Sequence, residues 1–379
     1  MKERLLLGPG PSPVSARVMS AMSRPILSHL DPDMMDVLDD VRQRLAWAFG
    51  SGEGSFNLAV SGTGTAGMEA AVANVTTPGA RALVVVTGYF GDRLALMFER
   101  YGASVTRVNS EWGRACDPSA VERALAATGA DIVALVHAET STGVLNPVDD
   151  ICRTAREHGA LTIVDAVTSF AAMPLRVERT HIDVCYSCSQ KGLGAPSGLA
   201  PITFSARSLE RRSASRSFYL DAGLLEDYWL RRKYHHTLSA PLMFALHEAL
   251  VAVQEEGLEA RWERHERNHL ALSAGLRALG LDLLPPAGER LWSLNAVRVP
   301  NNVDEAAVRR QLLDEFDIEI GAGLGPLAGR IWRVGLMGSG STLRNVLVFL
   351  SIFERVLRSS GYAAPPANVA VAAAEAAAR

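Results

Sequence analysis

The sequence predicts an α/β protein: a three-layer sandwich around a mainly parallel sheet, followed by a smaller C-terminal α+β domain. Three observations predict it. From about residue 56 onward, short runs rich in Val and Ile alternate with amphipathic stretches of helical period. Most of those runs are apolar on both faces, as strands buried between two helical layers must be. Near residue 256 the alternation stops, and two long helical stretches introduce a different mixture of elements. A chain of 379 residues also exceeds one ordinary core, since a domain takes roughly 100–200 residues.

In order, the strand-like runs are Ser55–Val60, Leu83–Thr87, Ser104–Val108, Ile132–His137, Leu161–Asp165, Ile182–Ser187 and Leu199–Phe204. Between them Asp92–Tyr101 and Val148–His158 read as helices. Asp117-Pro118 opens another, with a capping carboxylate and a proline at the first helical position. Such βαβ alternation builds a parallel sheet. Ala240–Glu256 and Leu258–Leu279 read as long helices, the second stopping at Gly280. Strands are then expected at Asn295–Val299, Ile318–Gly321 and Ile331–Leu336, with helices at Val303–Phe316 and Thr342–Ser359. The expected division is 1–256 for an N-terminal arm and large domain, 257–361 for a small domain, and 362–379 for an Ala/Pro-rich tail left outside the fold.

Composition narrows the function. A hydrophobic content of 48% with 21% charged residues is that of a globular protein. The net charge of -3 gives no basic surface for nucleic acid or anionic lipid. No apolar run approaches the ~18–20 residues that span a bilayer, and the N-terminus offers no secretory segment. Four cysteines, Cys116, Cys152, Cys185 and Cys188, suit a reducing compartment, so the cytoplasm is expected.

Lysine is the informative residue. Of 38 Lys plus Arg, three are lysine: Lys2, Lys191 and Lys233. Lys191 stands just past the strand Ile182–Ser187, in a loop of small residues running to Gly198. Ligands of open α/β sheets bind at that edge. A lysine desolvated there loses preference for its ammonium form, and a neutral amine attacks an aldehyde. The plain alternative is a surface lysine in a turn.

Other candidates converge on the same edge. Asp165 ends an apolar strand, where a carboxylate needs a cation or a turn to cap. The segment from Ser61 to Glu69, with Gly62, Gly64 and Gly67, follows a strand and opens a helix, so its free N–H groups and hydroxyls are expected to cradle a phosphate. These letters also satisfy a dinucleotide fingerprint, but the next strand tip, Thr87-Gly88, lacks the acid that would hold a ribose. Tyr89-Phe90 and the run His137 to Gly143 follow two further strand tips. Arg333 interrupts an apolar strand and demands an anion, from a substrate or a structural acid. Cys185-x-x-Cys188 lacks a second pair for zinc and reads as packing. His265 and His269, one turn apart among charged residues, read as a solvated face, and His235-His236 lacks metal spacing.

Taken together, the ordered set resembles the class V (fold-type I) pyridoxal-phosphate aminotransferases, in particular the alanine–glyoxylate and serine–glyoxylate branch. The resemblance rests on Gly8-Pro9-Gly10-Pro11, Ser61-Gly62-Thr63-Gly64, His137 to Val144, Val164 to Ser169, Ser189-Gln190-Lys191, Tyr234-His235-His236-Thr237 and Arg333-Val334-Gly335. It implies pyridoxal 5'-phosphate bound to Lys191 as a Schiff base, with Asp165 at the pyridine nitrogen. It implies Thr63, Gly64, Thr65 and Gln190 at the phosphate, Phe90 and Val167 on opposite faces of the ring, and Thr140 at a ring substituent. Tyr234 and Thr237 would reach the phosphate of a neighbouring copy, making a homodimer with shared active sites. Arg333 would clamp the substrate carboxylate beside Gly10. The implied reaction moves an amino group from alanine or serine to a small 2-oxo acid such as glyoxylate or pyruvate. Ureidoglycine is an alternative donor, and a nicotinamide-dependent oxidoreductase is the alternative of another class. A desulfurase-type lyase would need a cysteine beyond Cys188, and none exists.

Overall fold

The computed structural model describes residues 2–212, 215–363 and 365–379. Met1 of the expected arm and Ala364 of the expected tail lie outside the described residues. The chain opens with strand β1 (Leu5–Leu6) and helices α1 (Ala16–Ala21) and α2 (Pro32–Phe49). Alternation follows: β2 (Phe56–Ser61), α3 (Gly64–Val75), β3 (Arg81–Val86), α4 (Tyr89–Arg100), β4 (Ser104–Asn109), α5 (Pro118–Thr128) and β5 (Ile132–Val136). A small hairpin, β6 (Ala138–Glu139) and β7 (Val144–Leu145), leads to α6 (Val148–Glu157), β8 (Leu161–Asp165), β9 (Val184–Tyr186) and β10 (Leu199–Phe204). Helices α7 (Ala206–Glu210), α8 (Ala222–Arg231), α9 (Ala240–Glu256) and α10 (Leu258–Ala278) come next. The remainder is β11 (Leu294–Arg298), α11 (Glu305–Phe316), β12 (Ile318–Glu319), β13 (Gly321–Ala322), β14 (Ile331–Gly335), α12 (Leu343–Ser359) and α13 (Val369–Ala377).

The central sheet has seven strands in the order β2-β10-β9-β8-β5-β3-β4. All neighbours are parallel except β10, which runs antiparallel to both β2 and β9. Strands β5, β8, β9 and β10 are buried along their whole length, as their unbroken apolar letters require. Asp117 caps α5 through the Ser119 amide, with Pro118 in the first turn. One apolar core packs around this sheet, and a second joins α10, α11, α12 and β14.

The structure departs from the sequence reading in several places. The stretch Ile318–Gly321 is two strands with different partners: β12 pairs with β1, and β13 with β14. The N-terminal strand therefore belongs to the second core, where Leu7 is fully buried. The tail joins the fold: α13 packs on α10 and α12, burying Ala370 and Ala374. Alanine alone has little to bury, but Gly275 of α10 leaves the backbone close enough that a Cβ there would meet the Ala370 carbonyl at 2.9 Å. His265 and His269 are buried, not solvated. His265 bonds the Arg261 carbonyl through Nδ1 and accepts the Gly338 amide at Nε2, while His269 bonds Asn295. Helix α4 begins at Tyr89, ahead of the expected start at Asp92.

Candidate active site

Strand tips β2, β3, β5, β8 and β9 and the loop after β9 converge on one cavity of about 350 Å³. Of the expected residues, Gly10, Thr63, Gly64, Thr65, Phe90, Thr140, Asp165, Val167, Gln190 and Lys191 line it. The lysine loop is fixed from both sides. The Ser12 hydroxyl donates to the Lys191 carbonyl at 2.9 Å, and Arg261 of α10 donates to the Gly192 carbonyl at 2.6 Å. Lys191 Nζ donates to the Pro9 carbonyl. Burial, chiefly, holds its pKa below the usual ammonium range. Gly10 is required there: its φ is +115°, and a Cβ would meet Lys191 Nζ at 2.7 Å.

Asp165 is 3% exposed at the end of β8. Its Oδ1 accepts the Val167 amide at 2.8 Å and its Oδ2 the Tyr186 hydroxyl at 2.9 Å. No cation pairs with it among the described residues, and burial pushes its pKa up to about 7. The Val167 contact is the turn-capping role named above as the alternative, and it leaves the carboxyl without a positive partner among the described residues. Thr140, on the same cavity wall, shares a hydroxyl hydrogen bond of 2.5 Å with Thr168.

The first turn of α3 faces the cavity uncapped. Thr63 is its N-cap with no side-chain bond to the helix, and the Gly64 and Thr65 amides have no acceptor among the described residues. Gly64 is tight: a Cβ would meet Val167 Cγ2 at 2.9 Å. Gln190 Oε1 is buried without a partner. Free amides at a helix start are an anion site.

Arg333 lies just outside the cavity lining, 7% exposed on β14. Its guanidinium donates to the Ala322 carbonyl at 2.6 Å and to the Thr140 carbonyl at 3.4 Å. No acid forms an ion pair with it among the described residues, although the charge of buried Glu139 acts on it from a distance. Burial lowers its pKa to about 10. Tyr234 and Thr237 are exposed and do not line this cavity within one chain.

Two residues here escaped the sequence reading, and a third, Glu139, entered it only as one letter of the run His137 to Gly143. Arg93 lines the mouth, with its guanidinium 5.1 Å from the Phe90 ring and 3.3 Å from the Thr65 hydroxyl. Tyr186 is paired in register with Asp165 across β8 and β9, a neighbour that strand letters alone do not fix. Glu139 is fully buried and reaches the backbone of Phe90. Starting α4 at Tyr89 would have brought Arg93 to the sheet edge as a candidate.

A lysine, a buried carboxylate and a helix start with free amides meet in one cavity at the edge of this sheet, as suits a fold-type I pyridoxal-phosphate transferase. Residues 10–344 match the class-V aminotransferase family, and the chain belongs to it. The (S)-ureidoglycine–glyoxylate transaminase of Bacillus subtilis is 37% identical over 377 residues, covering 93% of this chain and 90% of that one. The alanine–glyoxylate aminotransferase of Drosophila melanogaster is 34% identical over 94% of this chain and 93% of its own. The crystal structure of an alanine–glyoxylate aminotransferase from Nostoc sp. superposes with a TM-score of 0.92 at 43% identity, covering 94% and 96% of the two chains. The dinucleotide alternative falls with this membership.

Proposed function

We propose that this aminotransferase uses pyridoxal 5'-phosphate to move an amino group from a small amino acid, alanine or serine, to a small 2-oxo acid such as glyoxylate. The observation carrying this reading is the grouping at one cavity of Lys191, Asp165 and the α3 amides, which have no acceptor among the described residues, with Arg333 beside it bonded to backbone carbonyls. Together they suit an aldehyde, a protonated ring nitrogen, a phosphate and one carboxylate. When bound, the cofactor supplies the aldehyde and a ring that delocalises the electron pair left at the substrate's Cα.

Lys191 tethers the cofactor through Nζ. Once displaced, that amine takes the proton from the amino acid's Cα and later returns one to the 2-oxo acid. Burial serves this role by shifting the amine toward its uncharged form. Asp165 holds the ring nitrogen's proton, and Tyr186 keeps the carboxyl in place. Thr63, Gly64, Thr65 and Gln190 hold the phosphate, Thr140 a ring substituent, and Phe90 and Val167 the ring faces. One arginine for one carboxylate favours monocarboxylic donors. Gly10 leaves room for the Lys191 side chain itself.

The partner proposed is a second copy. Tyr234, 62% exposed, touches the His29 ring, and the exposed Phe218 and Tyr219 pack around His235. Such an aromatic surface suits a homodimer in which Tyr234 and Thr237 complete the other copy's phosphate site. The described cysteines are all free, which suits the cytoplasm. Among the described residues no helix is long and apolar enough to cross a membrane.

Purified enzyme should be yellow, and Lys191→Ala should lose the band near ~420 nm with turnover falling at least about a thousandfold; retention of both refutes the reading. Mixing the yellow enzyme with single amino acids identifies the donor by which one bleaches it. Ureidoglycine belongs in that screen because of the Bacillus subtilis relative.

A further inference from the structure

Two helices start at the cavity wall, and α4 is treated unlike α3. It has Gly88 as N-cap and no capping side chain of its own. Its first three amides are nevertheless all taken, by residues of another segment. Tyr89 N–H donates to Ser141 Oγ at 2.9 Å, Phe90 N–H to Glu139 Oε1 at 3.4 Å, and Gly91 N–H to Glu139 Oε2 at 3.1 Å. Glu139 is held in turn by the Ser141 amide at 3.1 Å and the Ser141 hydroxyl at 2.6 Å. The fit is close. A Cβ on Gly88 would meet Glu139 Cγ at 2.6 Å, and one on Gly91 would meet the Val85 carbonyl at 2.8 Å. Burial raises the pKa of Glu139 and no cation forms an ion pair with it among the described residues, yet its hydrogen bonds fix a helix's first turn.

Of Tyr89, Phe90 and Gly91, it is Phe90 that lines the cavity. We propose that Glu139 is a positioning residue: by closing the first turn of α4 from outside the helix, it sets the height and tilt of Phe90 over the cofactor ring. This rests on the cofactor reading above. Glu139 itself does not line the cavity, so it acts through Phe90.

The test is a double-mutant cycle on the full-length enzyme with Glu139→Gln, Phe90→Ala and the pair. Cofactor affinity is read by absorbance titration, and ring asymmetry by visible circular dichroism of the bound cofactor. Glu139→Gln keeps the shape but offers one acceptor oxygen where two were used. It should weaken cofactor binding about tenfold when Phe90 is present and less than about twofold once Phe90 is alanine. The dichroic band should shrink in step. An equal loss in both backgrounds overturns the proposal, because the effect would then not pass through Phe90.

A cofactor-free readout separates this from the parent reading. Amide hydrogen exchange over residues 88–93 of the apoenzyme should speed up in Glu139→Gln; unchanged exchange overturns the anchoring role. If the wild-type enzyme takes up no pyridoxal phosphate, the functional reading fails, while exchange still judges the anchor. Should Glu139→Gln not fold, Ser141→Ala removes the Tyr89 acceptor and carries the same cycle, with about a threefold loss expected.

Discussion

Helices α3 and α4 both open on the cavity wall, yet their first turns are opposite in chemistry. The Gly64 and Thr65 amides of α3 have no acceptor among the described residues, while the α4 amides are filled by Glu139 and Ser141. The same contrast divides the other charged groups. Glu139 accepts four hydrogen bonds; Asp165 accepts two and has no paired cation among the described residues. Arg261 pairs with Glu256, whereas among the described residues Arg333 hydrogen-bonds to carbonyls and forms no ion pair. Identical residue types are structural where their valences are met and available for ligands where they are not. Binding capacity sits in what the fold leaves unsatisfied.

Making α3 resemble α4 gives the largest effect. Thr63→Asp places a capping carboxylate at the open turn. It should lower cofactor affinity by about a thousandfold, from like charges near ~4 Å, while leaving apoenzyme stability equal or higher by about 0.5–1 kcal/mol. Titration and thermal melting of the two forms check the opposite signs, and a parallel fall in both would break the comparison.

Arg333→Lys comes next. Losing the two-pronged guanidinium should raise KM for the amino donor about 10–100-fold with cofactor affinity unchanged. Steady-state kinetics at saturating cofactor decides it.

Asp165 gives a pH signature in the apoenzyme. Its pKa rises from 3.8 to about 7 on folding, so the folded state binds the extra proton between those values. Stability contributed by the neutral carboxyl is therefore present at low pH and lost as pH rises from about 4 to 7. Buried His137, His265 and His269 push the opposite way, since their lowered pKa values favour folding as pH rises toward 6.5. The difference between apo wild type and apo Asp165→Asn isolates the carboxyl. The Asp165→Asn variant should gain stability relative to wild type up to about pH 7 and then level off, as denaturant melts at each pH would show. A flat difference would mean that Asp165 already has its partner.

The smallest effect tests the satisfied side. Removing residues 363–379 uncovers α10 and α12 and should lower stability by about 1–3 kcal/mol, seen as a lower melting temperature. Cofactor affinity should stay within about twofold. A large loss would tie the tail to the site.

Much of the site was legible because strand tips are legible. Lys191, Asp165 and Thr63 each follow a strongly apolar run, and the sheet edge gathers such tips whatever the strand order. Local chemistry also identified the Asp117-Pro118 start. What failed was partnership. His265 and His269 sit among charged letters, yet Arg261 and Arg264 fold back onto Glu256 and onto loop carbonyls, leaving the histidines inside. The tail looked too poor in large apolar residues to pack, and a glycine on α10 made the contact possible.

The sequence by itself determined the alternation of elements, the scarcity of lysine, and which residues end strands, because those follow from periodicity and residue type. Only the tertiary structure decided which polar groups were left open. That depends on whether a distant segment, such as Glu139 for α4, arrives to fill them, and hydrogen bonds between remote segments leave no period in the chain.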